Sequence, residues 1–344
     1  MENYGRRKEL RNKVHEIFGE GHNTEECFYK YAMVWMSRKC NSKCKYCYQD
    51  GDTVNNAWSY EKADAVTSLL LAEGYHVQPL INEWLPEFWD FLKIMKKCQW
   101  KEITTNGLVI IDRYKEFFPL LKENGITDIR HSLFPKGIHE KITGRNREKT
   151  LKAIRLSKEH GFRVVVNYVV TTETLPHIME VCEELLELEI DEVQFMNLIY
   201  LGRAKDLQKQ LLKTDDLRAF WGIWKTLNED ERFKNIEFDF QANFGPCPQG
   251  NHVSTKAAEK DHFCIAGKNS YGHFLYITPE DGIYPCFLLS EPQFKIGEVI
   301  CKNNTYQLDY SNSQDWEKAV GSFSRKNCAA TQFLMKTILS NQEE

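Results

Sequence analysis

From Phe28 onward, short runs of β-branched and aromatic residues alternate with segments whose apolar positions recur at helical spacing, and six such pairs precede about residue 230. The runs Tyr29 to Met36, Tyr75 to Ile81, Trp100 to Thr104, Asp128 to Leu133, Arg163 to Val170 and Glu192 to Leu198 read as strands. Between them Tyr60 to Glu73, Pro86 to Lys97, Asp112 to Glu123, Arg147 to His160 and Leu175 to Leu188 read as helices, with stop signals at Gly74, Gly125 and Gly161. Arg163 to Val170 is almost continuously apolar, interrupted by Asn167, as a strand buried on both faces would be. The alternation predicts an α/β fold with a parallel sheet and helices outside it. Right-handed crossovers curl six such units into a partial (β/α)6 barrel, whose strand C-terminal ends carry the site.

Residues 1–27 read as a helical extension, a charged helix from Glu2 to Phe18 and a loop around Gly19, Gly21 and Asn23. From about Ile236 the pattern changes to Gly, Pro and aromatic-rich pieces, with a hairpin of His273 to Ile277 and Gly282 to Phe287 around Glu280-Asp281-Gly282. The expected division is a barrel over 28–235 and a smaller, cysteine-containing domain over 236–344 that holds Cys247, Cys264, Cys286, Cys301 and Cys328.

Composition narrows the class. With 42% hydrophobic and 27% charged residues in 344, the chain is globular, and a net charge of −4 offers no electrostatic case for a nucleic-acid partner. No apolar run approaches the roughly 18 residues that span a bilayer, and Met1 to Lys13 is charged with no apolar stretch behind it. A cytoplasmic protein without a membrane span is expected. Eleven cysteines in a reducing compartment then point to metal ligation, catalysis or plain burial rather than disulfides.

Cys40-Asn41-Ser42-Lys43-Cys44-Lys45-Tyr46-Cys47 packs three thiols into a short loop after the first strand. Three thiolates can hold one face of an iron-sulfur cluster and leave one iron open to a small molecule. A structural zinc site wants four ligands in paired knuckles, and this loop offers no obvious fourth. The Cys-x3-Cys-x2-Cys spacing with an aromatic before the last cysteine resembles the radical S-adenosylmethionine superfamily. That resemblance implies that Cys40, Cys44 and Cys47 ligate a [4Fe-4S] cluster, and that Tyr46 lies against the adenine of S-adenosylmethionine. It also implies a 5′-deoxyadenosyl radical as the reactive species and a one-electron reductant such as flavodoxin or ferredoxin.

Further segments fit the same superfamily. Thr104-Thr105-Asn106-Gly107 resembles its Thr-Asn-Gly turn, and His131-Ser132-Leu133-Phe134 its Ser-Leu-Asp/His-Gly region. Ile138 to Gly144, Asn167 and Gly202-Arg203-Ala204 match members with a C-terminal SPASM or twitch domain. Cofactor contacts are thereby implied for Thr105, Asn106, Ser132 and Asn167, although Asn106-Gly107 alone is a turn signal, and Ser132 or Asn167 alone reads as a polar residue satisfied in the barrel. The family's Gly-Gly-Glu-Pro, whose acid accepts from the methionine ammonium, aligns here with His76-Val77-Gln78-Pro79. A neutral amide at Gln78 beside Pro79 predicts weakened methionine binding or compensation by another acid. His131, His139 and Arg145, near the expected mouth, are candidates to orient substrate or ordinary surface residues.

In the last portion, Cys264 and Cys286, with Gly282-Ile283-Tyr284-Pro285-Cys286, resemble half of an auxiliary-cluster site. Adding Cys247 and Cys328 supplies four thiols for one auxiliary [4Fe-4S] cluster; the alternatives are an open cluster or buried small hydrophobes, as for Cys27, Cys98 and Cys182. Cys301, left over, is a candidate hydrogen-atom donor or an ordinary cysteine. The leading reading is a radical enzyme that modifies a ribosomally made peptide by crosslinking, oxidation or epimerisation. A separate leader-binding protein is expected, because the segment before the first strand is too short for a recognition domain. A sugar or aminocyclitol dehydrogenase or epimerase is the alternative, and a non-catalytic metal-binding scaffold the reading from another class.

Overall fold

A computed structural model describes residues 29–54, 56–240, 267–269 and 272–310. The expectations for 1–27, and those for Cys27, Cys247, Cys264 and Cys328, lie outside these residues. Six parallel strands follow as the alternation predicts: β1 (Tyr29–Ser37), β2 (His76–Ile81), β3 (Glu102–Thr105), β4 (Asp128–Ser132), β5 (Arg163–Val170) and β6 (Glu192–Asn197). The connecting helices are α1 (Tyr60–Ala72), α2 (Leu92–Lys97, after a 3₁₀ turn Pro86–Phe91), α3 (Leu108–Glu123), α4 (His139–Thr143), α5 (Arg147–Glu159), α6 (Ile178–Glu187) and α7 (Thr214–Glu229). Further on come β7 (Glu237–Phe240), β8 (Gly267–Asn269), β9 (Gly272–Ile277), β10 (Gly282–Tyr284), β11 (Gly297–Lys302) and β12 (Thr305–Asp309).

The strands form two ladders, β3-β4-β5-β6-β7 and β12-β11-β10-β9-β1-β2 with β8 on β9. β7 extends the parallel array beside β6, and β9 pairs in parallel with β1, so chain from both sides of residue 235 shares each sheet. The expected hairpin is β9 and β10, joined antiparallel through Ile277 and Ile283. The half-barrel is an α/β fold, as the pattern required.

Alternation sorts the faces. On β1 and β2, Ala32, Val34, Met36, Val77 and Ile81 are buried under the Ala63, Val66 and Leu70 stripe of α1. Each such Val, Leu or Ile contributes about 1.5–3 kcal/mol by leaving water. On β3 to β7 the opposite face is polar. Arg130 bonds Glu102 at 2.9 Å, Gln194 at 2.7 Å and Asn167 at 3.2 Å, while Arg163 bonds Asp128, Glu192 and Glu237 at 3.2, 2.7 and 3.1 Å. Buried charges persist only when paired in this way.

Candidate metal and cofactor site

The cysteine loop leaves the C-terminal end of β1. Its entry is tied by Cys40 N–H to Asp52 O at 2.9 Å, and its middle by Lys45 N–H to Ile142 O, at the end of α4, at 2.8 Å. Cys44 is buried, and Cys40 and Cys47 are half-buried. Burial pushes the Cys40 thiol up to about 12, helped by the nearby Glu83 charge and by the other two cysteines. Cys44 is likewise raised by burial, against the pull of Arg145 and Arg203. Among the described residues no three His, Cys, Asp or Glu side chains converge as ligands of a single metal ion would. The donor set is instead three thiols within eight residues of one loop, the chemistry that holds an iron-sulfur cluster.

Beside the loop lies a carboxylate that the sequence pattern missed. Glu83 follows the last residue of β2 by two positions and is fully buried. It accepts from Thr105 Oγ1 and from the Asn106 N–H, both at 2.7 Å, and from the Trp84 N–H at 2.9 Å. These bonds bridge the seam between β2 and β3, which belong to separate ladders. Burial nevertheless raises the Glu83 carboxyl above its ordinary value. Asn106 continues the connection, its Nδ2 donating to Asn41 Oδ1 at 2.6 Å and Ser42 Oγ at 3.3 Å, inside the loop.

Gln78 is not at this site. It sits mid-strand in β2, paired with Met33, and its side chain accepts from the Tyr31 hydroxyl. Pro79, its neighbour, pairs with Val34 and points the other way into the strand's buried face. The end of the strand, where a side chain can reach the loop, is occupied by Glu83, an acid of the kind expected to compensate for a neutral Gln78.

Arg145 completes the cluster of charges. The residue is 7% exposed, its Nη1 donates to Asn106 O at 2.8 Å, and its Nε has no partner among the described residues. Its charge acts on both Cys44 and Glu83. A guanidinium cannot shed its proton, so burial without a bound carboxylate is costly until an anion arrives. A buried carboxylate and a guanidinium with an unpartnered Nε, within electrostatic reach of each other, suit a zwitterion such as an amino acid.

The other expected residues divide. The Tyr46 ring packs on Phe134 at 4.9 Å between centroids, and its hydroxyl bonds Ser132, at the end of β4. Asn167 belongs to the barrel network, where its Oδ1 accepts from Arg130. His131 and His139 are fully buried, not surface groups. His131 Nε2 bonds Ser157 Oγ at 3.1 Å beneath α5, and burial lowers the imidazole to about 3; His139 is lowered to about 4. Cys98 and Cys182 are buried in the core, as expected. Cys301 is exposed on β11, separated from β1 by β10 and β9, about 14 Å across at the usual strand spacing. The structure does not bring it to the loop. Cys286 is half-buried just after β10, and the next ring, Phe287, meets Tyr48 of the cysteine loop at 6.3 Å.

A curled parallel sheet with a three-thiol loop at its strand ends defines a class, and the comparisons agree with it. No family model matches the chain. Among curated relatives, a probable GTP 3′,8-cyclase of Methanococcus aeolicus is 27% identical over 183 residues, 48% of this chain and 58% of the relative. Another of Sulfolobus acidocaldarius is 28% identical over 214 residues, 57% and 63% respectively. The subtilosin biosynthesis protein AlbA of Bacillus subtilis is 22% identical over 282 residues, 78% of this chain and 57% of AlbA. The chain thus spans less than two thirds of the length of these relatives. SuiB of Streptococcus suis, solved with its precursor peptide SuiA, superposes with a TM-score of 0.60 at 19% identity, covering 89% of this chain and 71% of SuiB. anSMEcpe, solved with AdoMet and a peptide, gives 0.61 at 18% identity over 86% and 84%. This chain shares their fold. The cysteine motif and these relatives support the radical S-adenosylmethionine superfamily, and the shared fold agrees with it.

Proposed function

We propose that the chain is a radical S-adenosylmethionine enzyme that modifies a peptide. The observation that carries this reading is the three-thiol loop set against Glu83 and Arg145. Cys40, Cys44 and Cys47 would hold a [4Fe-4S] cluster, and Glu83 and Arg145 would hold the ammonium and the carboxylate of the methionine end. When bound, the cluster supplies the electron that cleaves S-adenosylmethionine to a 5′-deoxyadenosyl radical, which takes a hydrogen atom from a substrate C–H bond. The chain's own residues bind, orient and exclude water. Asn106 and Thr105 lock Glu83 to the loop, Tyr46 offers its ring to the adenine, and Ser132 stands at the strand end toward the ribose. Asn167 has its Nδ2 left for the same end of the cofactor, its Oδ1 being engaged by Arg130.

The peptide reading is supported by AlbA, named for bacteriocin biosynthesis, and by SuiB and anSMEcpe, solved with peptides. A second reading, a nucleotide substrate, is favoured by the relatives named as GTP 3′,8-cyclases. Cys286, whose neighbour Phe287 meets Tyr48 of the cysteine loop, would join Cys247, Cys264 and Cys328 in holding one auxiliary [4Fe-4S] cluster in a twitch-like domain. A cytoplasmic flavodoxin or ferredoxin would deliver the electron, and a separate protein would present the leader.

Anaerobic reconstitution tests this directly. Wild type and the Cys40/Cys44/Cys47→Ala variant are compared for iron and for 5′-deoxyadenosine formed under dithionite. About eight irons against about four, with deoxyadenosine only from wild type, is the expected result. A fully loaded wild type that neither binds S-adenosylmethionine nor forms deoxyadenosine would refute the reading. Deoxyadenosine stimulated by GTP and not by a precursor peptide would select the second.

A further inference from the structure

The turn after β6 reaches back to the cysteine loop. Gly202 holds a φ of +53° there, and a Cβ on it would come within 2.8 Å of the Cys47 and Tyr48 carbonyl oxygens and of Asp50 Oδ1. Only glycine fits both that conformation and that approach. Arg203 then donates along the whole stretch. Its backbone N–H goes to Asp50 Oδ1 at 2.7 Å and Cys47 O at 3.1 Å, its Nε to Cys44 O at 2.9 Å, and its Nη2 to Gly51 O at 2.9 Å. Gly51 in turn points its N–H at Cys47 Sγ, 3.4 Å away. The ion pair with Asp50 is 3.9 Å long and half in solvent, so it adds little; the bonds to backbone carbonyls are what hold the guanidinium.

We propose that Arg203, seated by Gly202, is a positioning residue that holds the loop from Cys44 to Gly51 in its ligating conformation before iron binds, and so governs how firmly the cluster is kept. A planar fork can serve two carbonyls on opposite sides of the loop at once, whereas a lysine ammonium is a point charge on a flexible stem. The loop carries little regular structure of its own, and each backbone bond removed exposes it to local opening. The consequence for the cluster rests on Cys40, Cys44 and Cys47 being its ligands; the clamp itself rests only on the hydrogen bonds.

The test uses the full chain as wild type, Arg203→Lys, Arg203→Met and Gly202→Ala. Deuterium uptake is followed in the metal-free protein for the peptide spanning 40–52, with β4 and β5 as internal controls. In the reconstituted protein the rate of iron loss to a chelator is followed. Arg203→Met and Gly202→Ala are expected to exchange the loop amides and to lose iron at least tenfold faster than wild type. Arg203→Lys falls between, and β4 and β5 are unchanged. Wild-type rates in Arg203→Met overturn the proposal, as does uptake that rises equally in β4 and β5, which would mark general destabilisation. If loop uptake rises in Arg203→Met while wild type itself binds no iron, the clamp stands and the cluster reading falls.

Discussion

Glu83→Gln separates binding from stability at one buried position. In the wild type the carboxylate is wholly out of water, and three donors within 2.9 Å offset its desolvation only in part, because its acidity is still weakened. The glutamine carbonyl can keep both donors on Oε1, from Thr105 and Trp84, and loses the Asn106 N–H bond on Oε2. Leaving that buried N–H unmet costs about 1–3 kcal/mol and removing a buried charge returns part of it, so folding stability should fall by about 2 kcal/mol at most. A cofactor ammonium, by contrast, loses a charge-assisted bond of about 1.5–3 kcal/mol, which is roughly 10- to 100-fold in affinity. Anaerobic equilibrium binding of S-adenosylmethionine to the reconstituted protein, beside thermal unfolding of the metal-free protein, measures the two. Unchanged affinity would refute the assignment. So would a loss of affinity that merely follows a collapse in melting temperature and iron content.

Gln78→Leu should leave S-adenosylmethionine affinity within about twofold of wild type, since its side chain meets Tyr31 and not the loop; a tenfold loss in the same binding assay would contradict that placement. His139 is fully buried, and its pKa is lowered from 6.5 to about 4, so it binds protons in the unfolded chain first. Stability from this group is therefore complete above 6.5 and is lost as the pH falls toward 4, by about 2 kcal/mol at pH 5. Denaturant unfolding at pH 7 and 5 should show that much less pH dependence in His139→Gln, and equal dependence would refute neutral burial. Gly107→Ala forces a φ of +85° on a side chain whose Cβ would meet Ala153 Cβ at 2.7 Å. It should cost about 2–4 kcal/mol by thermal unfolding, and a cost under about 0.5 kcal/mol would mean that α5 can move away.

The parts of the fold that the pattern conveyed are those where burial alternates or recurs plainly. β5 is Arg163–Val170 to the residue, and α1, α5 and the β9-β10 hairpin fall within a residue or two of expectation at most boundaries. α3 begins at Leu108 rather than Asp112: Gly107 stands at its N-cap and Asn106 Oδ1 accepts from the Leu108 N–H at 3.0 Å, so the apolar Leu108 to Ile111 continues from the turn into the helix. β7, with its Glu-Phe-Asp-Phe alternation, is only Glu237–Phe240, too short to stand out at the change of composition. The reading at Gln78 has the same root. A Pro inside a strand resembles the end of a motif, while the buried carboxylate of Glu83 stands two residues after Ile81, where the strand stops. An acid just past a strand's end, followed by the helix-starting Pro86, was the available signal. Arg145 is a candidate only by its place after β4: nothing in its neighbours distinguishes a buried guanidinium from a surface one.

The seam between β2 and β3 explains why the acid sits where it does. Two parallel strands without a shared ladder would leave backbone donors unmet at their C-terminal ends, and such donors are rarely left unpaired in a buried place. Glu83 meets them, since its oxygens take the Asn106 N–H and the Thr105 hydroxyl that a neighbouring strand would otherwise approach. The carboxylate is therefore held by the fold before any ligand arrives, within electrostatic reach of Arg145 and of Cys40 in the thiol loop. Rigidity at the seam and rigidity of the loop have different sources, Glu83 with Asn106 for the first and Arg203 with Gly202 for the second. Loss of either should loosen the site independently. The doubly substituted Glu83→Gln, Arg203→Met chain should accordingly show additive changes, in cofactor affinity from one and in loop exchange from the other. A coupling above about 0.5 kcal/mol would show instead that the two act as one unit.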